Sequence, residues 1–168
     1  METILLSKSE NAIINIACDF FNLFNLIPQE IRGDSKKRTG IHFFITEPGT
    51  RNFISNSVGR PSEAARIFAI EKATRMGLLG DYSSQNSENI ELMRFRGALT
   101  VEIEGIKIQA SVSGLQSDED AFTAVKILAY IFNISDAKVC KIVKKHGGIL
   151  PESFNKKNHY LYIDLGEN

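Results

Sequence analysis

Apolar residues recur along this chain with two different periods, and the switches between them divide it into elements. From Asn11 to Leu26, the residues Ile13, Ile16, Ala17, Phe20 and Phe24, with Ile27 just beyond, stand three and four apart, the repeat of a helix with one buried face. Ser7-Lys8-Ser9-Glu10 in front of them has the form of a capping box, and Pro28 ends the run. A polar stretch from Gln29 to Gly40 reads as a loop. Ile41 to Thr46 then predicts a strand, Glu47-Pro48-Gly49-Thr50 a type II turn, and Asn52 to Asn56 its antiparallel partner. Gly59-Arg60-Pro61 leads into a second helix from Ser62 to Met76, with Pro61 as its first residue and Ala65, Phe68, Ala69 and Met76 turned inward. Glu71 and Arg75 form an i,i+4 pair on its surface.

Gly77 to Glu91, rich in Gly, Ser and Asn, predicts an irregular connection with one helical turn near Asn89. The period then changes to two. Leu99, Val101 and Ile103 alternate with Thr100 and Glu102, and Ile106, Ile108, Ala110 and Val112 alternate with Lys107, Gln109 and Ser111, giving two strands joined at Glu104-Gly105. Ser113-Gly114 breaks the alternation. Ser117 caps a third helix, Asp118 to Phe132, that buries Ala121, Ala124, Val125, Leu128 and Phe132. Ser135 caps a fourth, which runs through Lys145 and stops at Gly147-Gly148, and His159 to Leu165 alternates as a last strand. Helix, two strands, helix, two strands, helix is an order of antiparallel pairs. It predicts a single α+β domain, leaning to three layers, with an antiparallel sheet of about five strands flanked by helices.

Composition narrows the partners. At 168 residues the chain can bury about two-thirds or more of its unfolded surface in one core. Twenty cations face twenty acids, so neither nucleic acid nor an anionic membrane is an expected partner. The local cluster Arg32, Lys36, Lys37 and Arg38 reads as a solvated loop. No apolar run reaches the roughly 18 to 20 residues of a membrane helix. Glu2 and the short Ile4-Leu5-Leu6 run do not make a signal peptide, so the expected location is the cytoplasm. Cys18 and Cys140 lack metal-site spacing and read as small buried hydrophobes of a reducing compartment.

No catalytic constellation stands out. His42, His146 and His159 stand alone, and neither a Gly-x-Ser-x-Gly elbow nor a Gly-rich phosphate loop is present. The triplet Asp118-Glu119-Asp120 could gather around a cation, but a helix first turn attracts acids in any case. Neither a catalytic residue nor a metal ligand is therefore assigned.

The sequence Ala110-Ser111-Val112-Ser113-Gly114, followed by Ser117-Asp118-Glu119-Asp120, resembles the hallmark of the HbpS/GlcG-like family, also met as the C-terminal domain of PduO-type proteins. In that family a strand ending in Gly-Val-Ser-Gly meets acidic residues and an Ala-rich helix. Upstream, a strand, a Pro-Gly turn, a strand and a helix carrying Ala69-x-x-Lys72-Ala73 follow the family's order, so the similarity spans residues 9–132 and leaves 133–168 as a C-terminal extension. The resemblance implies a profilin-like sheet, assembly into a homo-oligomer and a small-molecule ligand, haem among the candidates. Its pocket edge would fall on Val112, Ser113 and Gly114, with residues 94–98 opposite. There Arg94 and Arg96, two apart on one strand face, would pair with a ligand carboxylate, with Gly97 next to them in the same site. This chain has no histidine between residues 1 and 41 where haem binders of the group use one, which leaves His42 as the nearest substitute and Met76 or Met93 as soft ligands. Where the family shows Gly-Gly-x-Pro before the hairpin, this chain has Arg96-Gly97-Ala98-Leu99-Thr100, which alters the pocket lip. Two other functions stay open. One is a profilin-like interaction module using the apolar first helix and Lys138, Lys141 and Lys145; the other is an enzyme on a small acid, which lacks a base and nucleophile pair.

Overall fold

The computed structural model describes residues 8–33 and 37–166. In chain order the elements are α1 (Glu10–Leu26), α2 (Gln29–Arg32), β1 (Gly40–Thr46), β2 (Phe53–Gly59), α3 (Glu63–Leu79), β3 (Ala98–Ile103), β4 (Ile106–Ser113), α4 (Ser117–Phe132) and α5 (Asp136–Lys145). Ser9 caps α1, its Oγ accepting from the Ala12 N–H, while Ser7 of the expected capping box lies outside the described residues. The four strands form one antiparallel sheet in the order β2-β1-β4-β3. Its central pair sets His42 opposite Ser113 and Phe43 opposite Val112.

Strand alternation divides the sheet into two unlike faces. Ile41, Phe43, Ile45, Leu99, Val101, Ile108, Ala110 and Val112 pack into the core beneath α1, α4 and α5. Aromatic rings thicken that layer, with Phe20 and Phe154 meeting Phe122 edge-on at 5.6 and 5.8 Å. Each large side chain shut into this core contributes about 1.5–3 kcal/mol. The opposite face is polar, carrying His42, Thr100, Gln109, Ser111 and Ser113, all buried, and α3 covers it. Small Ala65, Ala69 and Ala73 let the helix sit close, joined by Met76 and by buried Lys72 and Arg75. In consequence α3 turns Ile67, Ile70, Leu78 and Leu79 outward, where its polar face would ordinarily be.

Several expectations need correction. The strand predicted at 159–165 does not form, so the described sheet has four strands and not about five. Leu161, Ile163 and Leu165 are nevertheless buried in alternation. A turn at His159 and a bond from the Ile163 N–H to the Phe154 carbonyl tie this segment to its own neighbourhood, so it packs on the core as irregular chain. Gln116, not Ser117, is the N-cap of α4, and Pro61 precedes the Ser62 cap of α3. The turn expected near Asn89 lies earlier, at Ser84–Ser87, and the polar loop after Pro28 contains the short α2. Arg75 is buried and not a surface residue: beside its pair with Glu71 it donates to the Ser84, Ser87 and Phe95 carbonyls. Residues beyond 133 share the one core through Val139, Cys140, Val143 and Phe154. Both cysteines are free, and burial pushes the Cys140 thiol up to about 12. Among the described residues no helix is long and apolar enough to cross a membrane.

Candidate functional site

The chain leaves β4 and enters α4 through a corner that only glycine fits. Gly114 has φ +128°, and a Cβ there would lie 2.5 Å from the Gly40 carbonyl oxygen and 2.9 Å from Ile41 Cα. The start of β1 therefore presses directly on the corner, and a cleft of about 600 Å³ opens beside it. Ser113, Gly114, Gln116 and Ser117 form one edge. Lys37 and Arg38 stand at another, Phe68 and Phe95 make an apolar wall, and Lys72 and Asp120 complete the lining.

Lys72 and Asp120 are both buried. Lys72 reaches from α3 to donate to the Val112 carbonyl oxygen at 2.7 Å and to Asp120 Oδ2 at 3.3 Å. The other carboxylate oxygen of Asp120 accepts from the Leu115 N–H at 3.0 Å. Gly97, at φ +119°, closes over the pair; a Cβ on it would meet Asp120 Cβ at 2.6 Å and Lys72 Nζ at 2.8 Å. Burial lowers the pKa of Lys72, opposed chiefly by the Asp120 charge. Burial likewise raises Asp120 to about 6, opposed chiefly by Lys72.

The acidic triplet does not converge. Arg32 grips Glu119 with two 2.6 Å bonds, and Tyr160 and the Gln116 N–H donate to the same carboxylate at 3.0 and 3.1 Å. Burial and the Glu119 charge in turn raise the Tyr160 hydroxyl well above its ordinary value. Asp118 accepts from Ser153 at 2.8 Å and pairs with Arg96 at 3.2 Å. The three acids thus serve three separate partners, and among the described residues no group of His, Cys, Asp or Glu could hold a metal ion.

Of the residues predicted to form the site, Ser113 and Gly114 line the cleft, Val112 supplies the carbonyl that holds Lys72, and Gly97 roofs the pair. Arg94 and Arg96 do not share a strand face, because β3 begins only at Ala98. Arg96 is bound between Glu88 and Asp118, and exposed Arg94, paired through its backbone with Asn89, borders a groove on the outer side of α3. His42 faces β2, where its ring nitrogens meet Ser57 Oγ at 2.8 Å and Ser55 Oγ at 3.0 Å. Burial and nearby Arg66 lower its pKa. Met76 is buried in the fold and Met93 lies exposed in a turn. Among the described residues no histidine, cysteine, methionine or tyrosine lines the cleft, so those residues do not fit haem iron.

No protein-family model matches the chain, and neither a curated protein nor a solved structure does.

Sequence reasoning overlooked Lys72 and Asp120 as a pair. One signal was available: Lys72 interrupts the otherwise small and apolar row Ala65, Ala69, Ala73, Met76 on the helix face expected to be buried.

Proposed function

We propose that this protein is a small-ligand binder of the HbpS/GlcG type, built on a profilin-like sheet, located in the cytoplasm and assembled as a homo-oligomer. Its ligand is a small organic anion seated in the cleft at Gly114. The observation that carries this reading is the cleft itself, in which Lys37 and Arg38 share one hollow with Ser113 and Ser117. Two cations suit a carboxylate or phosphate, and the Phe68–Phe95 wall suits a short hydrocarbon body. The volume lies within the range of about 300–1,000 Å³ usual for small-molecule sites. Haem is set aside because the described residues of the lining include none of its usual axial ligands.

Titration of isotope-labelled protein with short carboxylates and inorganic phosphate, followed by amide shifts, tests the reading. Movement centred on residues 37–39 and 113–117 is expected, and haemin should leave its Soret band unperturbed. If no anion moves those amides, the reading fails. A profilin-like interaction module without catalytic activity is the second reading, favoured by the exposed row Ile67, Ile70, Leu78 and Leu79 on α3.

A further inference from the structure

The buried ion pairs at the two ends of this corner are built differently, and the difference points to chemistry. Arg32 and Glu119 are matched fork to fork, with two bonds of 2.6 Å and further donors on the carboxylate. Such a pair ties α2 to α4 and needs nothing more. Lys72 is less completely held. An ammonium carries three N–H donors, whereas two acceptors meet this one, Val112 O at 2.7 Å and Asp120 Oδ2 at 3.3 Å. The same side chain borders the cleft, and its buried nitrogen keeps one donor position without an acceptor.

We propose that Lys72 is a nucleophilic amine that condenses with a carbonyl-bearing anion, a small 2-oxo acid, to form an imine in the cleft at Gly114. This rests on the cleft being a small-anion site. The carboxylate of the ligand would face Lys37 and Arg38, leaving its carbonyl carbon toward Lys72. Attack uses the lone pair of the neutral amine: the new N–C bond forms, the carbonyl π electrons move to oxygen, and Asp120 relays one proton from nitrogen to that oxygen, giving the neutral carbinolamine. The second N–H proton follows the same route to the hydroxyl, the C–O bond breaks, and C=N forms as water leaves. Amine and carbonyl give imine and water, and no oxidant or reductant takes part. Burial favours both halves of this exchange, since it disfavours the charged amine of Lys72 and the charged carboxylate of Asp120 alike. Glu71 and Arg75 on α3 also act on Lys72, with opposite signs.

The experiment incubates the full chain with pyruvate and cyanoborohydride, digests it and locates reduced adducts by mass spectrometry. One dominant adduct, on the peptide holding Lys72, is expected above that on any surface lysine, because the cleft gathers the anion beside this amine. Propionate, an anion without the carbonyl, should suppress that adduct while leaving those on surface lysines. Lys72→Arg should abolish it, and Asp120→Asn should reduce its rate; the propionate result on the unaltered chain stands even if either variant misfolds. Adducts spread evenly over the lysines would overturn the proposal. Amide shifts at residues 113–117 with pyruvate but no reducible adduct would overturn the imine and leave the anion site intact, whereas absence of both would remove the two together.

Discussion

Lys72 on α3 and Asp120 on α4 meet beneath Gly97, Nζ to Oδ2 3.3 Å apart, both buried at the edge of the cleft. Pairing offsets part of what it costs to take two charges out of water, and the remainder appears as opposed pKa shifts. Asp120 keeps its proton up to about 6 when folded, against an ordinary 3.8, so between those values the folded chain binds more protons than the unfolded one. The Asp120 contribution to stability should therefore fall as pH rises through that window, and Asp120→Asn should flatten it. Lys72 acts in the other direction: with its pKa lowered, stability should grow as pH climbs from the folded value toward 10.5. Urea midpoints of the native chain and Asp120→Asn across the acidic window check this, and parallel profiles would refute it.

Arg32→Ala should destabilise far more than a surface change does. It leaves Glu119 buried without its main partner, and breaking a buried pair of this kind costs about 3–5 kcal/mol. Replacing both partners by apolar residues of similar size, Arg32→Met with Glu119→Leu, should recover most of that loss in chemical denaturation. A double variant no better than the single one would show that the pair itself stabilises the fold.

The corner at Gly114 should resist any side chain. Gly114→Ala meets both an unfavourable φ and the β1 backbone at 2.5 Å, so it should lose more than the roughly 1–3 kcal/mol of backbone strain alone. Gly33→Ala is the control, since nothing lies within 4 Å of a Cβ at that φ of +71°. It should lose only about 1–2 kcal/mol. Equal thermal shifts for the two would contradict the close approach of β1.

If the chain self-associates through the outer side of α3, Ile70→Glu combined with Leu78→Glu should yield a monomer by light scattering. Both residues are exposed, so the fold itself should change by no more than about 0.5 kcal/mol per site. An unchanged mass would move the contact elsewhere.

Much of the architecture was legible because it rests on local periodicity. The alternation from Leu99 to Val112 specifies both strands and their buried face, and Ser113-Gly114 marks the corner beside which the cleft opens. What escaped depends on contacts between distant residues. Arg32 reads as one cation of a solvated loop, yet it pairs with Glu119, 87 positions further on. Leu161, Ile163 and Leu165 alternate as a strand does, but period two records burial and says nothing of hydrogen-bond partners, which that segment finds in Phe154. Arg94 and Arg96 are two apart in sequence, and this spacing implies a common face only inside a strand, which starts later. Orientation of α3 was the hardest to foresee, because its sheet-facing residues include Lys72 and Arg75 while isoleucine and leucine turn outward.

A helix seated on alanines and hydroxyls forfeits little when water re-enters beneath it, whereas α4 lies on branched and aromatic hydrocarbon. Amide protons of α3 should accordingly exchange with deuterated solvent ahead of those in α4, through excursions that leave the rest of the molecule intact. Whatever occupies the neighbouring hollow would then fasten that helix down, and occupancy could be read from its slowed exchange.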